Sequence, residues 1–215
     1  MTRRARDDDA KQARRADILQ AARRLFLSDE RQLPSVARIA EAAGLAKGTV
    51  YLYFATKEEI FIALLDEEFS NLLTAIGEAF KPSAVATEQV QAVIARMVDY
   101  LDEHPEFLSL DALAYSVLEQ NLPEQVVRTF KLNLTRRLTL AGQLLDAALG
   151  LQTGRGTQLL LRSYALIRGL WQTLDYPAPL QALLADPAFS VIRPPFREEL
   201  AASLQEYWRG ALTPV

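Results

Sequence analysis

Apolar residues recur along almost the whole chain at spacings of three and four and nowhere alternate as in a strand, so the pattern predicts helices punctuated by proline and glycine. In the first, Ile18, Leu19, Ala22, Leu25 and Phe26 share one face. A short second helix comes next, with Val36, Ile39, Ala40 and Ala43 at i, i+3, i+4 and i+7. Gly44 ends it, because glycine enters the left-handed conformation without the steric penalty other residues carry. A third, over residues 47 to about 53, begins at once, and helix, glycine turn, helix is the helix-turn-helix arrangement. The fourth runs from 57 to about 80, unbroken until Pro82 apart from Gly77, so one rod is expected to join this head to the rest of the chain. Further helices are expected over 87–103, closed by His104-Pro105, and over 105–120, 123–149, 156–173 and 195–212. Between the last two, Tyr176-Pro177-Ala178-Pro179, the apolar residues 180–184 and Asp186-Pro187 read as a connection. The expected fold is all-α: a three-helix helix-turn-helix head, a long fourth helix and a C-terminal helical body. The expected segments are a basic and acidic disordered tail over 1–12, a helix-turn-helix domain over 13–57, and a helical body over 58–215.

The third helix carries the chemistry. Val50 is its clear inward residue, and around it Lys47, Gly48, Thr49, Tyr51 and Tyr53 supply a cation, a point of close backbone approach and three hydroxyls. Those groups suit phosphate oxygens and base edges better than a core. Thr56-Lys57-Glu58-Glu59 is a capping box: the Thr56 hydroxyl is expected to accept from the third residue's N–H, and Glu59 to reach back to the Thr56 N–H. That starts the fourth helix and leaves Lys57 pointing outward.

The stretch AGLAKGTVYLYFATKEE resembles the end of the DNA-binding domain of the TetR family of bacterial transcriptional regulators, and the resemblance extends over about residues 16–65, beginning with ILQAARRLF. It implies that Lys47, Gly48, Thr49 and Tyr51 meet the major groove, and that Ser35, Tyr53 and Lys57 meet phosphates. Two positions depart from the family pattern. Ala46 stands where a serine or threonine is usual, removing a side-chain cap worth about 0.5 to 2 kcal/mol. The usual glycine after the first helix is replaced by Ser28-Asp29-Glu30-Arg31-Gln32-Leu33-Pro34.

A net charge of −3 looks wrong for a DNA binder until the chain is divided. Residues 1–57 hold 12 Lys and Arg against 7 Asp and Glu, a balance of +5, and the remainder holds 12 against 20, a balance of −8. A basic head on an acidic body directs the head to a polyanion and makes the attraction salt-dependent. Arg3, Arg4 and Arg6 form either a minor-groove arm or, with Asp7-Asp8-Asp9 next to them, a solvated tail. There is no cysteine, no run of ~20 apolar residues and no apolar segment at the start, so a cytoplasmic, nucleoid-associated protein with no membrane partner and no cofactor is expected.

Two helices are more apolar than a surface allows. Leu159, Leu160, Tyr164, Leu166, Ile167, Leu170, Trp171 and Leu174 wrap one; Phe196, Leu200, Leu204, Tyr207 and Trp208 line the other. The resemblance places the dimer interface there, which makes Leu159, Leu166, Gly169, Leu170, Leu200, Leu204 and Trp208 its expected residues. The two recognition helices of a homodimer then lie about 34 to 36 Å apart on a palindromic, double-stranded operator. The resemblance also implies a small-molecule pocket in the middle helices, and Met97, Tyr100, His104, Phe107, Tyr115, Tyr164 and Trp171 are its candidates, with core packing the competing role for each. They suit a small, largely apolar effector that releases a repressor from DNA. The alternative is a DNA-bound adaptor of the same fold, regulated by a protein partner. Enzyme chemistry has little support: one histidine, no nucleophile elbow, no phosphate loop, no metal set, and carboxylate pairs such as Glu67-Glu68 and Glu198-Glu199 that diverge by about 100° on a helix.

Overall fold

The computed structural model describes residues 3–28, 31–80 and 85–213, with side chains from residue 9 onward. Every regular element among them is helical. Ten α-helices succeed one another: α1 (Arg3–Ser28), α2 (Val36–Ala42), α3 (Lys47–Tyr51), α4 (Lys57–Glu78), α5 (Ala86–Glu103), α6 (Glu106–Leu113), α7 (Glu124–Leu149), α8 (Arg155–Leu174), α9 (Ala178–Leu183) and α10 (Phe196–Leu212). They form two compact units, one of Met1–Phe69 with Ser109–Asn133 and one of Ser70–Leu108 with Leu134–Val215.

Three boundaries differ from expectation. α1 begins at Arg3, so the segment expected as a disordered tail over 1–12 is helical where described. No proline or glycine interrupts residues 3–28, and the alanines and arginines there favour a helix. The arm reading of Arg3, Arg4 and Arg6 concerns side chains outside the described residues, as do Asp29, Glu30 and Pro82. The helix expected over 105–120 holds only to Leu113, then loosens into a π-helical turn (Ala114–Leu118) and a 3₁₀ turn (Glu119–Asn121) before extended Leu122. There Asn121 Nδ2 donates to the Val117 carbonyl at 2.7 Å, a side chain competing for backbone as Asn does at helix ends. The connection before α10 is itself helical, in α9 and a 3₁₀ segment (Pro187–Ile192). Proline presets φ in the first turn of each, and the Asp186 carboxylate accepts from the Ala188 N–H at 2.8 Å.

In the first unit Ile18, Phe26, Ile39, Val50 and Phe61 are fully buried, with the Phe26 and Phe61 rings 5.8 Å apart and tilted. Glu68 of α4 is also fully buried and bonded to the Arg23 guanidinium of α1, which holds a charge that would otherwise be expensive to remove from water. Arg24 donates to the Ala42 carbonyl at 3.2 Å, placing a cation where the α2 carbonyls are left open.

The second unit is centred on Trp208 of α10, whose indole N–H donates to Ser163 Oγ at 2.9 Å, while the Ser163 hydroxyl donates to the Leu159 carbonyl at 2.9 Å. Leu159, Leu200 and Leu204 are fully buried with it. α7 and α8 cross at two glycines: a Cβ on Gly142 would sit 2.5 Å from the Thr157 backbone nitrogen, and one on Gly156 2.2 Å from the Gly142 carbonyl oxygen. Asp146 closes the turn between them, accepting from the Gly154 and Gly156 N–H groups at 2.7 and 2.6 Å. Arg197 of α10 forks onto Asp102 at 3.0 Å and onto Asp99, both of α5.

Candidate nucleic-acid interface

The turn between α2 and α3 is built by local rules. Gly44 has φ +67°, the Leu45 N–H donates to the Ala40 carbonyl at 2.9 Å and the Gly44 N–H to Glu41 at 3.0 Å, the two reciprocal bonds of a Schellman motif. At the other end of α2 the Ser35 hydroxyl accepts from the Arg38 N–H at 3.4 Å. A hydroxyl that accepts this bond keeps its own proton to donate elsewhere. α3 has no side-chain cap: Ala46 is extended and contributes only its carbonyl, which accepts from Thr49 at 2.9 Å.

Val50 alone of α3 is buried, and it anchors the helix to the unit. Lys47 and Gly48 are exposed, Thr49 is half-buried, and Tyr51 is 47 % exposed with the Lys47 ammonium 5.8 Å from its ring centroid. The polar face predicted from sequence is therefore open to solvent. A Cβ added to Gly48 meets nothing within 4 Å and the residue's φ is not left-handed, so nothing among the described residues demands glycine at that point. Leu52, which the hydrophobic pattern passes over, is 79 % exposed beside this face, an apolar group suited to a thymine methyl. Two residues on from inward Val50 it could not pack on the same side, and that spacing was the available signal.

The capping box forms with one change. The Thr56 hydroxyl accepts from the Glu59 N–H at 3.2 Å as expected, but Glu59 Oε2 takes the Ala55 N–H, at 2.8 Å, in place of that of Thr56. Lys57 is half-exposed, its Nζ 4.0 Å from Glu58 Oε1, a separation that leaves the ammonium able to reach an anion. Ser35, Lys47, Gly48, Thr49, Tyr51, Tyr53 and Lys57 all fall in the first unit, on the α2–α3–α4 segment.

The expected effector residues are divided. Met97, Tyr100 and Phe107 are core of the second unit, each at most 2 % exposed. His104 stacks on Tyr100 with centroids 4.1 Å apart, Phe107 meets Tyr100 edge-on at 6.2 Å, and the His104 N–H closes α5 by donating to the Tyr100 carbonyl at 3.0 Å. Tyr164 and Trp171 are half-buried in the same unit. Tyr115 belongs to the first unit, 51 % exposed, with the Lys131 ammonium 4.6 Å from its ring centroid. A cavity of about 350 Å³ does occur in the first unit, lined by none of these seven residues. Its walls come from positions up to 118 apart in sequence, Arg15 to Asn133, which no local spacing reveals.

The expected dimer face also needs correction. Leu159, Leu200, Leu204 and Trp208 are fully buried within a single chain and have no surface to offer a partner. Leu166 and Leu170 are half-buried, Gly169 is exposed, and Leu161 is 54 % exposed. The periodicity showed that α8 is apolar on most sides but could not say which side its own core takes.

Comparison with known proteins bears on the whole chain. Residues 18–64 match the model of the bacterial regulatory proteins of the tetR family, and residues 66–215 match the tetracyclin repressor-like C-terminal domain. The fatty acid metabolism regulator protein of Bacillus subtilis is 35 % identical over 79 residues, 37 % of this chain and 41 % of that one. The transcriptional activator FasR of Mycolicibacterium smegmatis is 25 % identical over 108 residues, 50 % of this chain and 46 % of that one. The chain thus spans less than half the length of these curated relatives. Among solved structures, FadR of Bacillus subtilis in complex with stearoyl-CoA has a TM-score of 0.56 at 19 % identity, covering 92 % of this chain and 99 % of that one. A TetR regulator of a Rhodococcus species scores 0.56 at 20 % identity, covering 96 % and 99 %. No helix among the described residues is long and apolar enough to cross a membrane. With both domain models matched in order and the helix-turn-helix in place, the chain belongs to the TetR family of DNA-binding transcriptional regulators.

Proposed function

We propose that this regulator is a homodimeric repressor that holds a palindromic operator through Lys47, Gly48, Thr49 and Tyr51 in successive major grooves, with Ser35, Tyr53 and Lys57 on the flanking phosphates. The observation that carries the reading is the bare polar face of α3, fastened by buried Val50 alone. The second copy docks on the exposed face of α8, through Leu161, Leu166, Gly169 and Leu170. The effector is a small, largely apolar molecule taken into the second unit near Met97, Tyr100, His104, Phe107, Tyr164 and Trp171. The FadR structure of the same fold was solved with stearoyl-CoA, whose acyl chain is apolar and whose coenzyme A is strongly anionic; the acyl chain supports an apolar portion in the effector and the coenzyme A does not. Because Met97, Tyr100 and Phe107 are closed off in this conformation, the effector must select a more open one, and release occurs only if that conformer fits DNA less well.

The test begins with an operator selected from random duplexes by the purified protein. Replacing Lys47 or Tyr51 by Ala should cost about 1 to 3 kcal/mol of specific binding, while Lys57→Ala should weaken all duplexes alike and flatten the salt dependence by about one unit. Undiminished operator affinity in the Lys47 and Tyr51 variants would refute the assigned face. Thermal-shift screening with apolar ligands, and then DNA release, addresses the effector separately.

A further inference from the structure

At about 100° per residue, α3 turns Lys47 and Tyr51 roughly 60° and 100° to one side of buried Val50, and Thr49 about 100° to the other. Gly48 and Leu52, one turn apart, then fall roughly 160° and 200° from Val50, on the line that faces directly away from the core. Leu52 closes α3 with helical dihedrals, φ −72° and ψ −17°, so the line runs on through it. Single exposed leucines are ordinary on a protein surface and need no explanation. The place of this one is the observation: it is 79 % exposed among the described residues, at the outermost point of a helix whose other outward side chains are polar. Gly48 on the same line adds no side chain to hold the backbone off a partner, so a helix seated by this face brings Leu52 against the floor of a groove. The five steps from Lys47 to Leu52 advance the helix axis by about 7.5 Å, little more than two base pairs at about 3.4 Å each, and both ends of α3 therefore engage one stretch of DNA.

Of the four bases only thymine sets an apolar group, its C5 methyl, in the major groove. A leucine pressed against any other base edge takes water from a donor or acceptor and gives it no partner, which is costly. We propose that Leu52 is a specificity-determining residue that selects a pyrimidine carrying a 5-methyl group at one position of each operator half-site. The inference rests on the reading of α3 given above and adds to it a base preference that Lys47, Thr49 and Tyr51 do not supply. Because the contact is to the methyl group and not to a hydrogen-bonding edge, 5-methylcytosine meets it as thymine does. Cytosine methylation at that position should therefore raise the affinity of a site that carries cytosine there.

The test uses the full-length protein and the operator selected from random duplexes. Each thymine is replaced in turn by uracil, which removes the methyl group and leaves the hydrogen-bonding edges as they were. At least one position per half-site should respond, with binding about fourfold weaker for each methyl lost, the worth of one buried methyl-sized group. Leu52 is exposed, so Leu52→Ala should fold normally, which a melting curve verifies. At one of the responding positions this variant should bind thymine and uracil operators equally, and Leu52→Met should restore the difference. Cytosine and 5-methylcytosine at that same position should differ about fourfold for the unmodified protein and not at all for Leu52→Ala. Indifference of the unmodified protein to every methyl, or methyl effects that persist at all positions in Leu52→Ala, would overturn the role of Leu52. Lys47→Ala in the same assay separates the two levels of failure: weakened operator binding there leaves the reading of α3 standing, and undiminished binding removes both.

Discussion

Glycines in two regions of this protein differ in what they answer to. Gly142 and Gly156, where α7 crosses α8, are explained entirely within the chain, since a methyl group on the first would stand 2.1 Å from Thr157 Oγ1 and one on the second 2.2 Å from the Gly142 carbonyl oxygen. Gly48 on α3 and Gly169 on α8 are explained by nothing among the described residues: a Cβ at either meets none of their atoms within 4 Å. Both lie inside helices, where glycine costs roughly 0.5 to 1 kcal/mol relative to alanine. A glycine that the fold keeps at a cost and does not use is accounted for by the function proposed above, in which Gly48 faces DNA and Gly169 a second copy of the chain.

The sharpest way to break this contrast is at the internal crossing. Gly142→Ala should destabilise the protein by about 3 kcal/mol, because α7 and α8 must separate to admit the methyl group and the interior cannot deform continuously. Urea unfolding measures it, and a loss below about 0.5 kcal/mol would mean that the crossing is looser than its distances indicate. Gly48→Ala should do the opposite to stability, raising it by about 0.5 to 1 kcal/mol, while weakening the operator complex by about 1 to 3 kcal/mol. Opposite signs from one methyl group cannot arise from a folding defect. A Gly48→Ala protein that bound its operator as before would leave that glycine without a reason.

Gly169 sharpens the comparison from the partner's side. A Cβ at this exposed position meets no described atom within 4 Å, so Gly169→Leu should leave the monomer's fold intact and weaken dimerisation at least tenfold, about 1.4 kcal/mol. Analytical ultracentrifugation across a dilution series reads this directly. Dimers as tight as before would move the interface off α8.

Legibility in the sequence divides along the same line. The α2–α3 turn was legible because its determinants are local: a glycine at one position, a four-residue apolar spacing, and a helix so short that Val50 could be its only anchor. The capping box was legible to within one residue, since Glu59 is long enough to choose between the Ala55 and Thr56 N–H groups and only the realised turn decides. α8 was not legible in this way. With apolar side chains on most of its circumference, periodicity could not pick its inward side; the family resemblance assigned Leu159 to a partner, whereas Ser163 and Trp208 fix that side inward. Tyr115 and the effector aromatics were grouped by type, and their separation into different units is a matter of tertiary arrangement that composition does not carry.

The smallest expected effect tests a departure from the family pattern seen in sequence. After α1 the chain turns at Arg31, which holds φ +65° and donates its N–H to the Phe26 carbonyl at 3.0 Å. An L-residue in the left-handed region costs roughly 1 to 2 kcal/mol, from the approach of its Cβ to the following carbonyl. Glycine removes that cost but gives back part of the gain through the greater freedom of the unfolded chain. Arg31→Gly should therefore stabilise the protein by at most about 1 kcal/mol, a rise of no more than roughly 4 °C in Tm for a chain of this size, because the relief of strain is set against the loss of the arginine side chain's own interaction. Because Gly and Arg would occupy the same backbone conformation, Ser35 stays at the N-terminus of α2 and operator affinity at high salt should not change. A drop in Tm would show that the arginine side chain contributes more than its backbone strain costs, and the loop would then owe its shape to contacts of that side chain instead of to the turn itself.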